Sequence, residues 1–258
     1  MAKTRSLKSV FTQTVQSDLP NLLVAGCSYV WNNSEEHICT WPYYLKDIAG
    51  FDQVFDCSQS GGGPSNVFNC IINEITSNSS ITNQNTLVIV MWPELWRTDV
   101  ITETSNEVEK YHFMSMQKLN DYFCNLSIFN EITSPKNIFD KLALDYKKIV
   151  SAYGQEYESL LKIIALKSFL ECNQYKHIFM PWKTYDSTQL SNHGIDISII
   201  NSAISTFDDI LPLEDYTGII DSRVPNDGHP TPDAHLQWTR EFLIPLILKK
   251  FSNNLNEL

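Results

Sequence analysis

A serine near the N-terminus and a histidine near the C-terminus are the side chains whose types and settings suggest chemistry. Ser28 lies in Gly26-Cys27-Ser28, directly after a short apolar run, and His229 lies in Asn226-Asp227-Gly228-His229-Pro230, a polar loop ahead of the last predicted helix. A serine hydroxyl becomes a nucleophile when a histidine within hydrogen-bond reach takes its proton. A carboxylate on the second ring nitrogen then holds that histidine in the required tautomer. Ser28, His229 and Asp227 are therefore candidates for a catalytic triad that transfers an acyl group.

Both segments also have a structural interpretation. A serine that follows a strand commonly caps the next helix, and a loop with Asp-Gly commonly forms a turn. Asp221 and Asp233 are alternative acids for His229, and His235, within the last predicted helix, is interpreted as structural. Which interpretation applies depends on whether the fold brings the two ends of the chain together.

Alternating strand-like and helix-like segments would position these residues. Four apolar runs predict strands at 22–25, 52–57, 86–92 and 175–182. Amphipathic spacing predicts helices at about 41–48, at 67–75, over the segment that begins near 197, and at about 233–249. Gly50 would end the first of these helices, and Ser65 or Asn66 would cap the second. Residues 216–220 are interpreted as a short last strand or an extended lead-in. Strands that alternate with helices indicate an α/β fold with a parallel sheet, whose carboxyl edge binds ligands.

The middle of the chain has a different pattern. From about residue 108 to 174 there is no strand signal, only apolar residues at helical spacing. We therefore expect a helical elaboration over about residues 100–174. No internal repeat or linker stands out, so residues 1–258 are predicted to form a single domain.

Composition and charge exclude several classes of protein. The chain is 43% hydrophobic and carries a formal net charge of −11, which argues against binding to nucleic acid or to an anionic membrane. The first twenty residues contain no apolar signal-peptide region, and no apolar run is long enough to span a bilayer, so a cytoplasmic location is expected. The six cysteines are scattered without CxxC pairs, and we expect neither a metal site nor a cofactor.

Three short segments resemble a known family. GCSY after the first strand, GGGPSN after the second, and DGHPTPDAH before the last helix are similar to blocks I, II and V of the SGNH, or GDSL-like, hydrolase superfamily. The resemblance implies a three-layer α/β/α sandwich with a flavodoxin-like parallel sheet, here with a helical insertion after the third strand. It also implies that Ser28 is the nucleophile, His229 the base and Asp227 the orienting acid. Many members of the family place the acid three residues before the histidine, a position that Asn226 occupies here.

The family's oxyanion hole is only partly matched. The resemblance implies that the backbone N–H groups of Ser28 and Gly63 bind the oxyanion, together with an asparagine side chain from a GxND block after the third strand. That block is missing, since residues 91–99 contain no asparagine. The loss of one such donor lowers the rate by about a hundredfold or more. Asn66, the indole of Trp92 and Arg97 are candidate replacements or substrate contacts, although each also has a structural interpretation.

The predicted function is a serine esterase that hydrolyses a short acyl ester, such as an acetyl group on a carbohydrate, through an acyl-enzyme. Its partner would be a small-molecule or glycan ester. Two alternatives remain open. The same serine could serve an O-acyltransferase. Alternatively, the chain could bind a ligand without catalysis, either as a degenerate SGNH-like domain or as a module whose GGGPSN segment cradles a phosphate at a helix N-terminus.

Overall fold

The fold is built on two sheets, seen in a computed structural model that describes residues 19–31, 39–95, 97, 99–102, 112–115, 152–225 and 228–251. Four parallel strands form the main sheet in the order β2-β1-β3-β6, and two short strands form an antiparallel pair. Their bounds are Asn21–Ala25 (β1), Gln53–Asp56 (β2), Thr86–Trp92 (β3), Asp99–Thr102 (β4), His112–Ser115 (β5) and Lys176–Pro181 (β6). The prediction of a parallel sheet is confirmed, and the strand order is that of the first four strands of a flavodoxin-like fold.

Helices flank the main sheet on both faces. Their bounds are Trp41–Ala49 (α1), Pro64–Ser77 (α2), Ala152–Cys172 (α3), Ser187–Asn192 (α4), Ile197–Ile204 (α5), Leu213–Ile220 (α6), Pro232–Trp238 (α7) and Ile244–Phe251 (α8). A π-helical turn over Thr239–Leu243 joins α7 to α8.

The strands have two buried faces, which divides the core in two. Leu22, Val24 and the residues in register with them pack against α1, α6, α7 and α8. Leu23, Ala25 and their neighbours pack against α2, α3, α4 and α5. Because successive side chains of a strand point to opposite faces, both faces need apolar residues, as the continuous apolar run of β3 indicates. The result is the three-layer α/β/α arrangement that the sequence predicts.

The segment after β3 differs from the prediction. Strands β4 and β5 pair in antiparallel register, with Val100 opposite Met114 and Ile101 opposite Phe113. The expectation of a purely helical insertion was wrong here, because each strand is only four residues long and the two apolar runs become recognisable only as a pair. Helix α3 confirms the helical interpretation near the end of the elaboration, whose residues 116–151 lie outside the described ranges.

The segment before the histidine loop also differs. Residues 216–220 belong to helix α6, so the strand interpretation was wrong. Glu214 and Asp215 lie in the first turn of α6, where a negative charge interacts favourably with the helix dipole.

The start of α2 lies earlier than predicted. Gly63 is the N-cap residue and Pro64 occupies the first helical position, where a missing N–H costs nothing. Ser65 and Asn66 therefore lie inside the first turn and do not cap it. No helix within the described ranges is long and apolar enough to cross a membrane.

Candidate active site

Ser28 lies in a tight turn directly after β1. The N–H of Val30 donates to the Cys27 carbonyl oxygen at 2.9 Å. The turn requires glycine at position 26, since a Cβ there would lie 2.3 Å from Val30 Cγ2 and 2.9 Å from the backbone oxygen of Met91 in β3. Ser28 is half-buried, whereas the residues on both sides of it are buried. The hydroxyl therefore lies at the carboxyl edge of the sheet between β1 and β3, where the direction of strand order reverses.

The turn leads into no described helix. The N–H of Trp31 also donates to the Cys27 carbonyl oxygen, at 3.0 Å, and residues 32–38 lie outside the described ranges. The interpretation of Ser28 as a helix cap therefore has no counterpart in the described part of the chain.

The glycine-rich loop after β2 is anchored to this same turn. The N–H of Gln59 donates to the Gly26 carbonyl oxygen at 3.1 Å. Gly61 has φ +74°, a left-handed backbone conformation that favours glycine. Gly63 then caps α2. The loop thus leads within a few residues from the Ser28 turn to a helix N-terminus, whose partial positive charge favours an anion.

His229 is presented by a loop that folds back on itself. The N–H of Thr231 donates to the Ser222 carbonyl oxygen at 3.2 Å, and the N–H of Val224 donates to the His229 carbonyl oxygen at 2.8 Å. At the turn, the N–H of Gly228 donates to the Val224 carbonyl oxygen at 3.1 Å, and Gly228 itself has φ +76°. These backbone bonds fix the path of the chain on both sides of the imidazole.

The two ends of the chain meet at Ser28 and His229. His229 Nε2 lies 2.7 Å from Ser28 Oγ, although the residues are 201 positions apart in the sequence. This distance is within the range for proton transfer between a nucleophile and its base. Asp227, the predicted acid, and Asn226 lie outside the described residues.

Two alternative acids lie in the described ranges. Asp221 ends helix α6 in a left-handed conformation with φ +49°. Asp233 lies in the first turn of α7, close enough to Tyr44 that its negative charge contributes to raising the pKa of that phenol, after burial and the influence of Cys39. The assignment of the acid to Asp227 remains a prediction.

Trp92 lies in the core and not at the surface of the site. Its side chain has no exposed area, and its ring packs edge-on against Phe179 at 5.7 Å between centroids. This burial fits the structural interpretation of Trp92. Its indole N–H has no hydrogen-bond partner within the described part of the chain.

Asn66 and Arg97 are placed differently from Trp92. Asn66 is buried in the first turn of α2, and its Nδ2 lies so close to the loop that a Cβ on Gly62 would be 2.8 Å from it. Its amide therefore faces the glycine-rich loop. Arg97 is partly exposed and forms an ion pair with Glu94. Its positive charge acts on the neighbouring thiol of Cys27, which places the guanidinium near the Ser28 turn.

Three side chains that contact each other near the Ser28–His229 pair were missed by the sequence analysis: Tyr29, Glu214 and Arg223. The Tyr29 hydroxyl donates to Glu214 Oε2 at 2.6 Å, and Arg223 donates to the Glu214 carboxylate oxygens at 2.7 and 3.0 Å. The Tyr29 and His229 rings lie 5.3 Å apart between centroids. Because Tyr29 and Glu214 are 185 residues apart, no local pattern indicates this contact. The only available signal was that Tyr29 is adjacent to Ser28.

Burial determines the protonation of several groups around the site. It raises the pKa of the Cys27 thiol, so this thiol stays protonated and Ser28 is the available nucleophile in the turn. Burial, together with the bond to Glu214, raises the pKa of Tyr29, which therefore remains a hydrogen-bond donor. Burial also lowers the pKa of His235 to about 3, which leaves that imidazole neutral, as a structural residue would be.

Comparisons with known proteins show a distant likeness to solved structures. No family model matches the sequence, and no curated protein does either. The chain is similar to the crystal structure of TesA, with 12% identity over 88% of this chain and 97% of that chain, and a TM-score of 0.43. It is also similar to phospholipase A1 from Streptomyces albidoflavus NA297, with 9% identity over 89% of this chain and 98% of that chain, and a TM-score of 0.39. At these values neither likeness assigns a family or an activity, so a functional assignment rests on the residues at the edge of the sheet.

Proposed function

We propose that this chain is a serine hydrolase of the SGNH type that cleaves a short-chain ester through an acyl-enzyme on Ser28. The observation that carries the proposal is the 2.7 Å contact between Ser28 Oγ and His229 Nε2. It joins a partly exposed hydroxyl to a base at the edge of the sheet where α/β folds bind ligands. The resemblance of the three sequence blocks to the SGNH superfamily supports the same reaction.

The reaction proceeds in two halves. As Ser28 Oγ attacks the ester carbonyl carbon, His229 Nε2 takes the hydroxyl proton, and it then gives this proton to the departing alcohol oxygen. This leaves the acyl group on Ser28. Water then attacks the acyl-enzyme while His229 Nε2 takes one of its protons. As the tetrahedral intermediate collapses, His229 returns this proton to Ser28 Oγ, which restores the hydroxyl and releases the carboxylic acid.

Each half-reaction develops a negative charge on the carbonyl oxygen. We assign the backbone N–H groups of Ser28 and Gly63 to this oxygen, with the Asn66 amide as the replacement for the missing block III asparagine. The position of Gly63 at the N-terminus of α2 supports the assignment, because the helix dipole favours an anion there. The orientation of Asn66 Nδ2 toward Gly62 supports the third donor.

The acid is assigned to Asp227 on the resemblance and on its place in the histidine loop. We expect Asp227→Asn to lower turnover by orders of magnitude, because the wrong tautomer of His229 would then be stabilised. Asn226→Ala is the matched control and should retain most of the activity. Equal losses in the two variants would contradict this assignment.

The substrate is proposed to be an acetyl ester on a neutral carbohydrate. Trp31 lies three residues after Ser28 and exposes 37% of its surface, and a partly exposed aromatic side chain near the nucleophile supports a sugar substrate. The net charge of −11 disfavours anionic alcohols. Release of acetate in water, measured against acetyl transfer to an added sugar, distinguishes a hydrolase from a transferase.

Hydrolysis of p-nitrophenyl acetate tests the proposed function. We expect turnover by the wild-type chain and a loss of about a thousandfold or more in Ser28→Ala, since the serine and its base act as a unit. Ser205→Ala, which removes a hydroxyl at the end of α5, is the matched control and should be unaffected. Equal turnover by Ser28→Ala and the wild type would refute the proposal.

A further inference from the structure

A closed chain of contacts links the residue after the nucleophile to the residue before the base. Tyr29 follows Ser28 and donates to Glu214. Arg223 binds the same carboxylate and also donates from Nη1 to the Gly228 carbonyl oxygen at 2.7 Å. Gly228 precedes His229. We call the three side chains of Tyr29, Glu214 and Arg223 the Glu214 brace.

The brace contacts the imidazole itself as well as its loop. The Tyr29 ring packs on the His229 ring, at 5.3 Å between centroids, and on the Trp182 ring, at 5.0 Å. Its hydroxyl, bonded to Glu214, fixes the rotation of this ring against helix α6. The Tyr29 side chain is therefore bonded at its hydroxyl and packed at its ring, which is tilted by 49° to the His229 ring.

The hydrogen bonds of the Glu214 brace are charge-assisted and partly buried. Tyr29 is 6% exposed, and the side chains of Glu214 and Arg223 are 16% and 33% exposed. Both guanidinium nitrogens Nη1 and Nη2 reach the carboxylate, and such two-pronged, charge-assisted bonds fix geometry more firmly than a single neutral bond. Helix α6 thus supplies a rigid anchor between two loops.

We propose that Glu214 is a positioning residue that sets the distance between Ser28 Oγ and His229 Nε2 by holding Tyr29 and Arg223 together. The inference rests on the proposed function, in which that distance governs proton transfer. A misplacement of about 1 Å in a catalytic group lowers the rate by about a hundredfold. Loss of the brace therefore affects kcat far more than KM, because its three side chains act on the position of His229 and are not assigned to ester binding.

Steady-state kinetics per active site test the role of the brace. In Tyr29→Phe, which keeps the ring, and in Glu214→Gln, which keeps the shape, we expect kcat to fall about tenfold to a hundredfold with KM within about twofold. Tyr216→Phe is the matched control. Tyr216 lies in α6, as Glu214 does, but its hydroxyl donates to Gln237 at 3.1 Å, so the variant should retain wild-type kcat. Sites are counted with a fluorophosphonate. A loss only in the number of labelled sites, with kcat per site unchanged, would show a purely structural role and overturn the proposal.

A double variant tests whether Tyr29 and Arg223 act through one carboxylate. If they do, Tyr29→Phe lowers kcat no further when it is added to Glu214→Gln, and Arg223→Gln adds only the loss of its bond to the Gly228 carbonyl oxygen, because the shared carboxylate is already gone. Losses that multiply would mean two independent contacts and would overturn the role of Glu214.

Amide hydrogen exchange tests the Glu214 brace independently of the proposed reaction. The N–H groups of Val224 and Gly228 are bonded within the histidine loop. We expect both to exchange faster in Glu214→Gln and at the wild-type rate in Tyr216→Phe. This readout does not need activity: an inactive wild-type chain would refute the proposed function, while unchanged exchange in Glu214→Gln would refute the brace.

Discussion

At the scale of single residues, Gly26 determines whether Ser28 can reach the edge of the sheet. The missing side chain lets the turn pass against β3, and a methyl group there would overlap Val30 Cγ2 and crowd the Met91 carbonyl oxygen. The glycine is therefore required by the close approach of this turn to itself and to β3, and not by its own dihedral angles.

We expect Gly26→Ala to lower the free energy of unfolding by about 2 kcal/mol, as overpacking of a buried site does. Gly218→Ala is the control with the opposite sign. It lies exposed in α6, where an added Cβ meets only Arg223 Nη2 at 4.0 Å, so it should gain up to about 1 kcal/mol from helix propensity. Urea unfolding of both variants measures the two values, and a Gly26→Ala chain as stable as the wild type would contradict this account of the turn.

His235 is buried in helix α7, six residues after His229. Burial, with a smaller contribution from the charge of His229, lowers its pKa to about 3 in the native state. In the unfolded chain a histidine titrates near about 6.5, so the unfolded state binds this proton first as the pH falls. The stabilisation is therefore complete above about pH 6.5 and declines as the pH falls toward 3.

Between pH 7 and pH 5 this group should contribute a loss of about 2 kcal/mol in the free energy of unfolding. In His235→Gln that part of the pH dependence disappears, whereas His177, whose pKa is also lowered by burial, keeps its own contribution. Denaturation at the two pH values measures the difference. The same pH dependence in the variant and the wild type would show that His235 is not buried in a neutral form.

Residue types predicted part of the site. Ser28 and His229 could be found because few residue types can serve as a nucleophile or as its base. The structure brings the two side chains into contact. Tyr29, Glu214 and Arg223 could not be found, because their roles depend on contacts between distant segments and not on their chemistry alone. The role of Trp92 could not be decided from the sequence, because a tryptophan at the end of a strand fits a core as well as a binding site.

At the scale of secondary-structure elements, the histidine loop depends on how α7 begins. Thr231 caps this helix, and its hydroxyl oxygen accepts the Ala234 N–H at 3.2 Å. The same hydroxyl lies 2.6 Å from Ser222 Oγ on the opposite side of the loop. One side chain therefore starts the helix and closes the base of the loop that carries His229.

We expect Thr231→Val, which keeps the shape of the side chain, to lower stability by about 1 kcal/mol through the lost cap and to lower ester turnover as well. Asp186→Ala is the matched control, since it removes the cap that binds the Thr188 N–H at the start of α4. It should reduce stability and leave turnover unchanged. If both variants had the same turnover as the wild type, the cap would have no part in holding the histidine loop.

The elements could be predicted to different degrees. The observed bounds of strand β3 are those predicted from its apolar run, because a strand that is buried on both faces has an unbroken run of apolar residues. Strands β4 and β5 were missed because short strands are stabilised by each other and carry little signal individually. Helix α6 was missed because its eight residues mix β-branched and acidic side chains, and its position between loops determines its conformation.

At the scale of the whole molecule, the topology of the sheet brings the catalytic candidates together. Strand β1 lies at the centre, with β2 on one side and β3 on the other, so the turn after β1 opens into the crevice where connections diverge. The last loop before α7 reaches the same edge. The order of strands and helices along the chain indicated this arrangement, whereas the 2.7 Å contact depends on packing that only the three-dimensional structure contains.

The net charge of the protein also acts on the scale of the whole molecule. With a formal charge of −11, the protein should hydrolyse an acetyl ester of an anionic phenol with a lower kcat/KM than its neutral counterpart at about 10 mM salt, where the screening length is about 30 Å. The disadvantage should shrink as the salt concentration rises. A ratio of the two kcat/KM values that does not change with salt would show that long-range repulsion plays no part in substrate choice.

The central claim is that Ser28 is a nucleophile activated by His229, and covalent labelling tests it most directly. Incubation with a fluorophosphonate, followed by peptide mass spectrometry, should yield one adduct on Ser28. The adduct should be absent in Ser28→Ala and should form at least about a hundredfold more slowly in His229→Gln. A wild-type chain that forms no adduct, or a Ser28→Ala chain that is labelled as readily as the wild type, would contradict the account.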